Sequence, residues 1–152
     1  MQRIQIGPWE IEYDREATRA AYAAGGDSSN YYCGCQGCRN YLANTRAFPE
    51  AMRQFFDSLG IDPEKPSHLG CAIATGENEY FCSGWYHVIG RYASGEAIPH
   101  KLTEDFWVEL TPSPVYVPKE IPEEQTLQID FSASLPWLLD ESKEECYQYK
   151  GD

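Results

Sequence analysis

The sequence predicts an α+β fold, with helices in the N-terminal half and an antiparallel sheet, a hairpin plus further strands, in the C-terminal half. Apolar residues recur with helical spacing between residues 15 and 59, whereas later segments alternate apolar and polar residues between turn signals. The 152 residues are 42% hydrophobic and 14% aromatic, which suffices for a core without covalent staples. We therefore predict a single α+β domain over residues 1–140 and an acidic, frayed tail over residues 141–152.

The N-terminal half contains one predicted strand pair or bent strand and three predicted helices. The strand signal is an alternation of apolar and polar residues on both sides of a Gly-Pro pair. Asp14 is the predicted N-cap of the first helix, and two glycines end it. Pro49 suits the first position of the third helix and Gly60 suits its end. The strand signal covers residues 4–13, and the helices are predicted over residues 15–24, 39–48 and 49–59.

The C-terminal half contains four predicted strands. The first two flank Gly76-Glu77 and predict a hairpin with Gly76 at the first central position of a type II′ turn. Counting back from this turn places Cys71 directly opposite Cys82, so both side chains share one face of the hairpin. The four strands are predicted over residues 68–75, 79–92, 106–111 and 126–135.

Composition and charge exclude several classes of partner. Twelve basic and twenty-four acidic residues give a net charge of −12, which repels phosphate backbones and makes nucleic acid an unexpected partner. Residues 119–152 carry nine acidic and three basic residues, which form a solvated face or attract a basic protein, as acidic immunity proteins do. Neither a signal peptide nor a membrane span is evident, so we predict a cytoplasmic protein without membrane contact.

Three of the six cysteines lie within six residues, in the stretch C-G-C-Q-G-C. Cys33, Cys35 and Cys38 form C-x-C followed by C-x-x-C. Thiolates are soft ligands suited to zinc or iron–sulfur sites, and C-x-x-C lets one turn direct two sulfurs at one ion. A reducing cytoplasm favours metal or thiol chemistry over a disulfide framework. We predict a zinc site that needs one further ligand.

The fourth ligand has three candidates: His87, Cys71 and Cys82. Strand alternation places Cys82 and His87 on opposite faces, so they cannot bind the same ion unless the strand bulges at Gly84. Each candidate also has a structural alternative. Cys71 and Cys82 can pair on oxidation or pack as small apolar residues, and His87 can be a hydrogen-bonded core histidine. Cys146 lies alone in the acidic tail and receives no role.

The same cysteines support a redox interpretation. A C-x-x-C motif at the start of a helix gains thiolate character from the helix end, and Arg39 adds positive charge. A thiol-based redox enzyme or sensor using Cys35 and Cys38 is therefore the alternative function. The sequence contains no G-x-S-x-G, P-loop, H-E-x-x-H or dinucleotide motif. This favours a non-enzymatic binding or interaction module, for which no catalytic residue is assigned.

Three motifs together resemble a family of small bacterial proteins of unknown activity. They are C-G-C-Q-G-C-R-N-Y, L-G-I-D-P and G-W-Y-H, and the resemblance extends from Trp9 to about Leu139. The resemblance favours His87 as the fourth zinc ligand, and we expect Asn40 to brace the cysteine loop by hydrogen bonds. The positions that match the family signature are Cys33, Cys35, Cys38, Asn40, Gly84, Tyr86 and His87.

Overall fold

The computed structural model describes residues 1–76, 79–96, 98–111 and 113–141. Within them an α+β fold is confirmed, with three α-helices and a seven-stranded antiparallel sheet. The placement of the sheet differs from the prediction, because two strands precede the first helix and belong to the same sheet. The strands are β1 (Gln2–Ile6), β2 (Trp9–Tyr13), β3 (His68–Gly76), β4 (Glu79–Gly95), β5 (His100–Thr103), β6 (Phe106–Thr111) and β7 (Thr126–Pro136). The helices are α1 (Arg15–Ala24), α2 (Gln36–Arg46) and α3 (Glu50–Leu59).

The long strand β4 pairs with three other strands, β2, β3 and β7. The order of the sheet is β1-β2-β4-β7-β6-β5, with β3 also paired to β4. One edge of β4 pairs with β7 in an unbroken register from Glu79↔Pro136 to Ile89↔Thr126. The opposite edge pairs first with β3 and later with β2. The unbroken register shows no bulge at Gly84, so side chains alternate strictly between the two faces along this part of β4.

Side chains of α1 close the gap that β3 and β2 leave along the edge of β4. The Tyr22 hydroxyl donates to the His87 carbonyl at 2.8 Å and accepts from the His87 amide at 3.1 Å. Thr18 Oγ1 accepts from the Ile89 amide at 3.1 Å. The two side chains are four residues apart and therefore share one face of the helix. The buried backbone of β4 thus keeps its hydrogen bonds where no strand is available.

The core lies between one face of the sheet and the helices α2 and α3. Tyr41 of α2 stacks on Phe131 of β7 with ring centroids 5.3 Å apart, and Phe56 of α3 lies 5.0 Å from Tyr86. The predicted alternation of β7 is confirmed, because every second residue is buried. The buried residues of this face of β7 are Leu127, Ile129, Phe131, Ala133 and Leu135.

The predicted pairing of Cys71 with Cys82 is confirmed, but the register of the hairpin differs from the predicted one. Gly76 pairs with Glu79 as a strand residue, and two register shifts within β3 bring Cys71 opposite Cys82. The predicted turn residue Glu77 lies outside the described residues, as does the predicted tail over residues 141–152, with Cys146, from residue 142 onward. In the part of the chain that the structure describes, no helix combines the length and apolar character needed to cross a membrane.

Candidate metal centre

The three clustered cysteines converge at the N-terminus of α2. The sulfurs of Cys33, Cys35 and Cys38 all lie within 4.8 Å of one another, and those of Cys33 and Cys38 are 3.5 Å apart. Tetrahedral zinc with Zn–S bonds of about 2.3 Å requires sulfurs about 3.8 Å apart. The three sulfurs therefore lie close enough to hold a metal ion with little rearrangement.

The local backbone explains why the sulfurs meet. Gly34 has a φ of +86°, a left-handed conformation that reverses the chain between Cys33 and Cys35. Cys35 is the N-cap of α2, and its sulfur accepts the Cys38 amide at 3.4 Å. The helix therefore begins at Gln36, three residues before the predicted start at residue 39. This earlier start places Cys38 in the first turn of the helix.

The cluster combines one thiol that ionises readily with one that does not. The Cys35 backbone amide hydrogen-bonds to the Cys33 sulfur and lowers the pKa of that exposed thiol. Burial raises the pKa of Cys38 to about 12. Cys38 therefore keeps its proton in the absence of an ion, and a metal has to displace this proton when it binds.

Arg39 ties the cysteine loop to the segment that follows β7. Its guanidinium donates to the Gly34 carbonyl at 3.1 Å and pairs with the Glu141 carboxylate at 2.5 Å. The Trp137 indole in turn donates to the Glu141 carbonyl at 2.9 Å. The expected positive charge at the cluster is thus compensated by Glu141. No local sequence signal marks Glu141, because it lies 102 positions from Arg39.

The structure does not bring His87 to the three cysteines, which corrects its prediction as the fourth ligand. His87 is fully buried on the face of β4 opposite that of Cys82. Its Nδ1 lies 2.7 Å from the Ser67 hydroxyl and its Nε2 lies 3.3 Å from Oε1 of Gln128. Burial lowers the pKa of His87, which keeps the ring neutral. His87 is therefore a hydrogen-bonded core histidine, the alternative interpretation of this residue.

Cys71 and Cys82 form a disulfide, although a reducing compartment predicted free thiols. Their Cα atoms face each other across the hairpin at 4.2 Å. This disulfide adjoins the cysteine cluster through Gly37, the glycine of C-Q-G-C. A Cβ on Gly37 would lie 2.6 Å from Cys71 Cβ and 3.2 Å from the Cys71 carbonyl oxygen. Only glycine allows α2 to approach β3 this closely, which explains the residue between the second and third clustered cysteines.

The other residues singled out by the predicted resemblance have structural contacts. Asn40 bridges the Pro136 carbonyl at 3.1 Å and the Leu138 amide at 2.7 Å. It therefore braces the end of β7, whereas the prediction had it brace the cysteine loop. The Tyr86 hydroxyl donates to the Pro63 carbonyl at 2.7 Å. Gly84 lies against the backbone of β3, where a Cβ has no space.

A surface cavity of about 700 Å³ lies beside α1 and α3, and none of the three clustered cysteines lines it. Its lining contains four basic and three acidic side chains. Arg19 pairs with Asp57 at 2.9 Å and Arg46 with Glu64 at 3.1 Å. These ion pairs neutralise much of the positive charge that lines the cavity. The cavity therefore indicates a binding function less clearly than the cysteine cluster does.

No family model matches the chain, and neither a curated protein nor a solved structure is significantly similar to it. The resemblance to the bacterial family therefore stays a prediction. The geometry of the cysteine cluster is the main guide to function.

Proposed function

We propose that the protein is a non-enzymatic binding or interaction module built around a zinc ion that Cys33, Cys35 and Cys38 hold. The convergence of the three sulfurs within 4.8 Å carries this proposal. Thiolate ligands match the preferences of zinc, and the backbone amide of Cys35 favours a negatively charged sulfur on Cys33. A bound ion would cross-link the loop before α2 to its first turn.

A structural role follows from the position of the cluster. The loop that carries Cys33 and Cys35 has few buried side chains of its own, and both cysteines are exposed. Bonds to a metal would fix this loop against Cys38, which is 5% exposed. Three protein ligands leave one of the four positions of a structural zinc site to be filled.

Zinc analysis of protein purified under a thiol reductant and without chelator tests the proposal. We expect about one equivalent of zinc per chain for the wild type. Cys35→Ser should contain much less zinc than the wild type, whereas His87→Gln should keep the metal because both ring nitrogens already have partners in the core. Wild-type protein free of zinc, or full zinc content in Cys35→Ser, would contradict the proposal.

A thiol redox function is the second candidate, favoured by one distance. The sulfurs of Cys33 and Cys38 lie 3.5 Å apart, so a small movement allows a disulfide with loss of two electrons and two protons to an acceptor. Cys35 and Cys38, the pair predicted from the motif, lie within the same cluster. The rate at which each thiol is labelled, measured as a function of pH, distinguishes the redox function from the zinc site. A redox centre requires a rapidly modified cysteine with a pKa below about 8.5 and reversible oxidation.

A further inference from the structure

The proposed zinc site needs a fourth ligand, and a cysteine outside the cluster lies next to it. We infer that Cys71, once released from its disulfide with Cys82, is the fourth ligand, so that the disulfide controls the affinity of the site for zinc. This inference rests on the proposed zinc site at Cys33, Cys35 and Cys38.

Close packing between α2 and β3 places Cys71 beside the cluster. The Cys71 Cβ and carbonyl oxygen occupy the space that a side chain on Gly37 would need. Gly37 is bonded to Cys38, the buried member of the cluster. Cys71 therefore faces the helical turn that carries two of the three predicted ligands, Cys35 and Cys38.

The two partners of the disulfide differ in their ability to reach the cluster. Cys71 is half-buried on β3, which among the described strands pairs only with β4. Cys82 is 0% exposed on β4, with β3 on one side and β7 on the other. Gly37 contacts Cys71 directly. Rotation about the Cα–Cβ bond of a reduced Cys71 would move its sulfur along α2, whereas Cys82 is held inside the sheet.

Reduction of the Cys71–Cys82 disulfide requires one external reactant, a dithiol. A dithiol reductant transfers two electrons and two protons to the Cys71–Cys82 bond and becomes a disulfide itself. Cys71 then gives its proton to solvent when its sulfur bonds the metal, and Cys82 stays a buried thiol. The oxidised protein offers three thiolates to zinc and the reduced protein offers four.

Cobalt(II) and zinc titrations of matched variants test this inference. Cys71→Ala and Cys82→Ala both abolish the disulfide, but only Cys82→Ala leaves Cys71 free. Charge-transfer absorption of bound cobalt increases with the number of thiolate ligands, so it reports three-sulfur and four-sulfur sites. The oxidised wild type, before and after treatment with the dithiol, provides a comparison that involves no substitution.

We expect Cys82→Ala to match the reduced wild type, with a four-thiolate spectrum in the presence or absence of the dithiol. Cys71→Ala should match the oxidised wild type and bind zinc more weakly than Cys82→Ala by at least about tenfold, since even the loss of outer-shell partners costs about 10- to 100-fold. Equal zinc affinity and equal spectra for the two variants would overturn the inference. Absence of metal from the reduced wild type would instead overturn the proposed zinc site itself.

Discussion

Replacement of Tyr22 by Phe tests whether α1 completes the hydrogen bonding of β4. The substitution keeps the ring in the core but removes the hydroxyl that bonds both the amide and the carbonyl of His87. Burial raises the pKa of Tyr22, so this hydroxyl is neutral and can donate as well as accept. Without it, two backbone groups in the middle of a buried strand lose their partner.

The expected loss of stability follows from these two groups. A buried backbone group left without a partner costs about 1–3 kcal/mol, so for two such groups we expect the free energy of unfolding to fall by about 2–6 kcal/mol. Because domains are stable by only about 5–15 kcal/mol, the change is large. With a urea m value of about 2 kcal/mol/M, the midpoint of unfolding should fall by about 1–3 M.

Urea unfolding followed by circular dichroism and tryptophan fluorescence measures this effect, with the disulfide kept intact in every sample. Tyr13→Phe is the matched control, because Tyr13 is 6% exposed like Tyr22 but no hydrogen bond among the described residues involves its hydroxyl. The control should stay within about 0.5 kcal/mol of the wild type. Equal stability of the two variants would refute the role of Tyr22 at the edge of β4.

Three further predictions concern other contacts. Gly37→Ala should destabilise the fold by about 1–3 kcal/mol in urea, because its Cβ would overlap Cys71, whereas Gly70→Ala meets only a contact at 3.9 Å and should have little effect. Burial lowers the pKa of His87 below its value of about 6.5 in the unfolded chain. Between these two pKa values the unfolded chain binds more protons than the folded protein. The free energy of unfolding should therefore fall with decreasing pH in this range, by at most about 1.4 kcal/mol per pH unit. His87→Gln should remove this contribution, and an unchanged pH profile would contradict it. Asn40→Ala should lower the urea midpoint by about 1 M, since the Leu138 amide loses its partner whereas the Pro136 carbonyl keeps its hydrogen bond from Asn44; a midpoint equal to the wild type would contradict the bracing role.

Local patterns predicted the helices and the cysteine pairing well. Asp14 accepts the Ala17 amide as the N-cap of α1, and Gly60 ends α3 in the left-handed conformation, as their sequence contexts predicted. These features depend on residues within one helical turn. The opposition of Cys71 and Cys82 was predicted from a turn count, although two register shifts within β3 that the count did not include produce it.

The errors arose where distant segments meet. The family resemblance favoured His87 as a ligand, but Ser67 and Gln128 bind its ring on the face of β4 opposite that of Cys82. Asn40 lies near the clustered cysteines in sequence, yet its partners lie about 100 residues away at the end of β7. The sheet also includes the N-terminal strands because β2 pairs with the far end of β4.

The sequence by itself determined that three thiols gather at the start of a helix, because spacing and the preferences of glycine act over a few residues. The tertiary structure alone decided what lies beside them. Packing of α2 on β3 brings Gly37 against Cys71, and the unbroken pairing of β4 with β7 excludes the bulge at Gly84 that could have brought His87 to the face of Cys82. Local rules direct side chains along an element, but only the packing of elements separated in sequence determines which sulfur adjoins the cluster.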